Sequence, residues 1–142
     1  MAASTPNGVF RIGDFGPEEN FLTLQDGLSD PGTPVLMLPA NGMGEQEWRI
    51  EPAGEGACTI ANIRTRTFLG YAGDPDFNLP VGGFPEPRRW RLTPADAPGD
   101  FVVAVPAAEL VLGRSPARVL PPPAALVGSA GGSAGWRFHP VG

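Results

Sequence analysis

The chain has 142 residues, a formal net charge of −5, ten arginines, no lysine and one histidine. An acidic balance of this kind excludes a dedicated nucleic-acid binder, which needs a basic face, and the single cysteine, Cys58, excludes an intrachain disulfide scaffold. The apolar share of 42% belongs to a globular chain, so residues 1–142 are expected to form one domain around one core.

Strand signals begin at Val9–Ile12, where Arg11 alternates with apolar neighbours. Strands are expected next at Phe21–Leu24, Val35–Leu38 and Trp48–Ile50, separated by "QDG", "DPG" and "NG" turns. A second set follows at Cys58–Ile63, Thr67–Tyr71, weakly around Asn78–Val81, and at Trp90–Leu92, with "GEG" and "GDPD" between them. A third set covers Phe101–Val105, Leu110–Gly113, a poorly defined strand within Val119–Val127, and Trp136–Phe138. The Gly-rich run Gly128–Gly135 reads as a hairpin loop. No segment offers ten residues of helical periodicity without Gly or Pro, so helix is expected to be nearly absent.

The three sets are a repeat. The only three tryptophans open the words "WRIEP" (Trp48–Pro52), "WRLTP" (Trp90–Pro94) and "WRFHP" (Trp136–Pro140). A second column places "FL" at Phe21–Leu22 and Phe68–Leu69 and "VL" at Val111–Leu112. A third opens each unit at "GVFRI", "ACTIANI" and "DFVVAV". Three columns drifting together at a period near 45 residues define units at about 8–52, 57–94 and 100–140. Twelve short strands in three units predict an all-β chain folded as a β-trefoil, whose closed barrel leaves few open edges. Trp48, Trp90 and Trp136 are then structural core, one large aromatic per unit. The Arg after each points outward, and the Pro ends the strand because it cannot donate to the ladder.

Catalytic sets are missing. His139 is the one histidine and reads as a strand-end surface residue. Metal sites built on Cys and His cannot form with one of each, and the Gly-rich run lacks the lysine of a phosphate loop. Cys58 reads as a small core residue. The carboxylates of the turns (Asp14, Glu18, Glu19, Asp26, Asp30, Asp74, Asp76, Asp96, Asp100) are expected mostly to serve local hydrogen bonds, although their number alone leaves paired acids for glycoside hydrolysis open. With no catalytic set, cofactor or metal implied, a non-enzymatic binding module acting through loops is expected. The start, "MAASTPNG", lacks the basic and apolar regions of an export signal, and the longest apolar stretches, Val35–Leu38 and Phe101–Pro106, are strand-sized. A cytoplasmic location without membrane insertion is therefore expected.

Several stretches resemble fungal fruiting-body trefoil proteins: "GVFRI", the third strand "PVLMLP" (Pro34–Pro39), "EQEWRI" (Glu45–Ile50), "EPRRWRLTP" (Glu86–Pro94) and the closing "FHPV". The pattern resembles protease inhibitors of the cospin type and of the clitocypin–macrocypin (mycocypin) type. A second resemblance is to ricin-B-type mushroom lectins, whose Gln-x-Trp mark matches once, at Gln46-Glu47-Trp48; the other units hold Arg88 and Ala134 at the Gln position. In those lectins a sugar-binding Asp follows the Leu of strand two, where this chain has Thr23, Gly70 and Gly113. No galactose is therefore expected in ricin-type pockets. Gln46 reads equally as a structural residue bonding backbone near Trp48.

The inhibitor resemblance implies a protease partner, of the cysteine or serine class, met by loops. Mycocypin-like wedging would use Asp14, Phe15, Gly16, Pro17, Glu18 and Glu19 after strand one, with Asn41, Gly42, Met43 and Gly44 after strand three. The cospin-type loop, Gln25–Gly32 here, carries Leu28 and no base. Alternative reactive positions are therefore Arg64 and Arg66 in one turn and Arg114 and Arg118 in another. Asn62, near the turn that carries the mycocypin legumain site, is expected to lie in its strand. The lectin resemblance implies glycan partners instead.

Overall fold

A computed structural model describes residues 6–95, 97–116, 120–128 and 135–141. Twelve strands run in chain order: β1 (Gly8–Gly13), β2 (Phe21–Leu24), β3 (Thr33–Leu38), β4 (Trp48–Pro52), β5 (Ala57–Asn62), β6 (Phe68–Gly70), β7 (Gly82–Phe84), β8 (Trp90–Pro94), β9 (Asp100–Ala104), β10 (Leu110–Arg114), β11 (Ala124–Gly128) and β12 (Gly135–Pro140). The only helical pieces among the described residues are 3-10 turns at Gln25–Gly27 and Gly44–Gln46. The all-β expectation holds. One strand falls elsewhere than expected. The weak strand near Asn78–Val81 lies instead at Gly82–Phe84, and the poorly defined one resolves to Ala124–Gly128. Arg118 and the loop between Gly128 and Gly135 lie outside the described residues.

Pairing closes six strands into a ring. β1 pairs β4, β4 pairs β5, β5 pairs β8, β8 pairs β9, β9 pairs β12, and β12 returns to β1, all antiparallel. The other six form the hairpins β2–β3, β6–β7 and β10–β11. Those hairpins meet through β3–β7 and through the bridges Leu36–Pro123 and Pro80–Ala125. A ring of strands leaves no long edge for another chain to pair with.

The core explains the repeated word. Trp48, Trp90 and Trp136 are buried. Each indole Nε1 donates to a leucine carbonyl of the second column: Trp48 to Leu22 at 3.0 Å, Trp90 to Leu69 at 2.9 Å, Trp136 to Leu112 at 3.0 Å. The column that opens strand four and the column that marks strand two are thus bonded to one another in every unit. A buried indole needs such a partner. Arg49, Arg91 and Arg137 face solvent between inward residues, and Pro52, Pro94 and Pro140 are the last residues of their strands. Cys58 is fully buried in the same core, and burial pushes its thiol up to about 12 because the thiolate would lose its hydration.

Candidate functional site

The three positions after the strand-two leucines are buried, although Gly113 also lines a hollow beside Asp14 and Trp136. Thr23 is buried, donates to the Phe21 carbonyl at 2.9 Å and accepts from Gln46 Nε2 at 3.0 Å. A β-carbon on Gly70 would lie 2.9 Å from Arg88 Cγ, and one on Gly113 would lie 2.6 Å from Val127 Cγ2. A side chain at either glycine would have to displace its neighbour.

Gln46 is structural, as its alternative reading held. Fully buried, it donates to the Pro39 carbonyl at 2.8 Å and to Thr23, and its Oε1 accepts from the Asn41 amide at 2.9 Å. This anchors the loop Asn41–Gly44. Within that loop Asn41 Oδ1 accepts from the Met43 amide at 2.8 Å. Gly42 sits at φ +70° in open space, whereas Gly44 approaches Arg64.

The loop Asp14–Glu19 is tied to other partners. Asp14 Oδ1 accepts from the amides of Gly16 and Asn20, both at 3.1 Å, and Oδ2 faces Arg114 at 3.7 Å. Glu19 meets His139 Nε2 at 2.8 Å, so His139 is a half-buried strand residue with a carboxylate partner rather than a free surface histidine. Phe15 is 49% exposed, with Arg137 stacked 4.8 Å from its ring centre. Asp14, Phe15, Arg114 and Trp136 line a hollow of about 240 Å³. The two candidate wedges therefore engage different neighbours: the first the β10 and β12 ends, the second the β5–β6 turn. Pro17 and Glu18 are exposed on the first of them.

A second hollow, of about 430 Å³, lies between the end of β6 and the β7–β8 connection. Phe84, half-buried, gives an aromatic wall, and Glu86 and Arg88 give a carboxylate and a guanidinium. Arg88 is fixed twice. Its guanidinium sits 4.1 Å over the Tyr71 ring, and Nη2 donates to the Gly73 carbonyl at 2.6 Å. Tyr71 is held edge-on to Trp90 at 5.7 Å between ring centres. Pro31, Pro85 and Pro87 stiffen the rim by fixing their own φ. Sequence reasoning missed this hollow. "EPRRW" was legible as the approach to a Trp strand, but no local signal told that Arg88 folds back on Tyr71. Among the described residues no group of three His, Cys, Asp or Glu could hold a metal ion.

No family model matches the chain, and no curated protein matches it. Solved structures do. The chain is similar to the Rhizoctonia solani agglutinin, with a TM-score of 0.85 at 21% identity over 99% of this chain and 100% of that one. It is similar to the designed threefold-symmetric protein ThreeFoil, with a TM-score of 0.84 at 15% identity over 95% of this chain and 100% of that one. It is also similar to the Macrolepiota procera ricin B-like lectin, solved in complex with lactose, with a TM-score of 0.81 at 16% identity over 99% of this chain and 100% of that one. All three identities are low, so these are likenesses of fold.

Proposed function

We propose that the chain is a β-trefoil lectin, a non-enzymatic carbohydrate-binding module that holds a saccharide in the hollow at Phe84, Glu86 and Arg88. The observation that carries this reading is the end-to-end likeness to an agglutinin and to a lactose-bound lectin. The threefold design among its neighbours and the ring with three hairpins support the trefoil assignment. In the hollow, Phe84 takes the apolar C–H face of a pyranose. Glu86 accepts from its hydroxyls, and Arg88, already oriented by Tyr71 and Gly73, donates to them. The acidic acceptor then comes from the β7–β8 connection, because the end of β6 has no room for one.

Titration of ¹⁵N-labelled protein with galactose, lactose, mannose and N-acetylglucosamine tests this reading. At least one should move the amides of Tyr71, Gly73, Phe84 and Arg88 saturably, and Phe84→Ala should weaken it about tenfold or more. Saturable shifts confined to other surfaces, or none, would refute the placement.

A further inference from the structure

A third hollow, a groove of about 500 Å³, lies on the outer face of β4, β5 and the β5–β6 turn. Its shape follows from register. Directly paired residues of antiparallel strands share a face. Arg49 pairs Ala61, and Ala61 pairs Phe68. The row across three strands is therefore a long cation, a methyl and a phenyl, and the groove lies over the methyl. Glu51 stands two residues along β4 from Arg49, on the same face, and Ile63 and Arg66 close the far end.

Charge sets the chemistry of this groove. Arg11, Arg114 and Arg137 each face a carboxylate, and Arg88 donates to a carbonyl. Arg49 and Arg66, like Arg64, Arg89 and Arg91, have no ion pair or side-chain hydrogen bond to any described residue, but here two such cations line one groove, on a chain of net charge −5. Arg66 is also held at φ +62°, a conformation that costs an L-residue free energy. The turn enforces it. The Arg66 amide donates to the Asn62 carbonyl at 2.8 Å, and the fully buried Asn62 side chain accepts from the Arg64 amide at 3.1 Å. A stiff frame lowers the entropy lost when a ligand is gripped.

We propose that this groove is a second saccharide site, selective for a pyranose that carries a carboxylate. Arg49 and Arg66 donate to the carboxylate, as guanidinium groups do in charge-assisted pairs. Glu51 accepts from a ring hydroxyl, and Phe68 and Ile63 cover the C–H face. The inference rests on the carbohydrate reading above but uses none of the residues of the Phe84 hollow.

The test is a ¹⁵N titration of the full chain with D-glucuronate, N-acetylneuraminate, D-glucose and acetate. At least one acidic sugar should move the amides of Ala61, Ile63 and Phe68 saturably, and the one that does identifies the source of the carboxylate. Glucose and acetate should need about tenfold higher concentration. Arg49→Gln and Arg66→Gln should each weaken the acidic sugar about tenfold. Ala61→Leu, which fills the groove and leaves every charge in place, should abolish binding with an unchanged circular-dichroism spectrum. Equal response to glucose or to acetate, no response at these amides, or indifference to Arg49→Gln overturns the proposal. A neutral sugar at Phe84 with no acidic sugar at Ala61 overturns this inference alone. An acidic sugar at Ala61 with none at Phe84 overturns only the placement in the Phe84 hollow.

Discussion

Replacing each tryptophan by phenylalanine, one at a time, probes the bond between the two repeated columns. In Trp48→Phe the Leu22 carbonyl loses its donor at 3.0 Å. Leaving a buried acceptor unmade costs about 1–3 kcal/mol. The side chain also shrinks by about three heavy atoms in a fully buried site, worth about 2 kcal/mol at about 0.8 kcal/mol per methylene-sized group. The sum is about 3–5 kcal/mol, or about 10–15 °C for a domain of this size. Trp90→Phe and Trp136→Phe break equivalent bonds at 2.9 and 3.0 Å, so their costs should agree with the first within about 1 kcal/mol. Urea unfolding followed by far-UV circular dichroism measures all three. A cost below about 1 kcal/mol for any one of them refutes the idea that the three indoles do the same work.

Gln46→Leu should cost about 3–5 kcal/mol in the same assay, because it strands the Pro39 carbonyl, the Asn41 amide and Thr23. Cys58 titrates from about 12 in the fold against an ordinary 9.0. The unfolded chain therefore loses this proton first as pH rises. Stability should fall by about 1.4 kcal/mol per pH unit above 9, up to about 12, a slope that Cys58→Ala removes. Gly113→Asp should cost about 1–3 kcal/mol by overpacking against Val127 and should create no galactose binding, read by lactose titration.

The barrel strands were legible because alternation and the Trp-x-x-x-Pro word are local signals. β2 matches its expected bounds, Phe21–Leu24. β7 was not legible, because Gly82 and Gly83 have low intrinsic strand preference. They are there for close approach: a β-carbon on Gly82 would lie 2.6 Å from the Thr33 carbonyl oxygen. The site was harder still. The absence of an acid after Leu22, Leu69 and Leu112 could be read directly. That Arg88 and Val127 fill two of those places depends on residues far along the chain. Arg49 and Arg66, 17 positions apart, meet at one groove only through the β4–β5 register. Resemblance to two families with one scaffold left the partner class open, since fold alone does not carry function.

The central claim is that this scaffold binds saccharide and not protease. The most direct measurement is a glycan array probed with wild-type protein and with Glu86→Gln in parallel, with papain inhibition assayed on the same samples. The account predicts glycans retained by the wild type at micromolar protein, the signal from neutral glycans reduced about tenfold or more by Glu86→Gln, and papain activity unchanged. No retained glycan, together with papain blocked at micromolar protein, would contradict it and return the function to the loops Asp14–Glu19 and Asn41–Gly44.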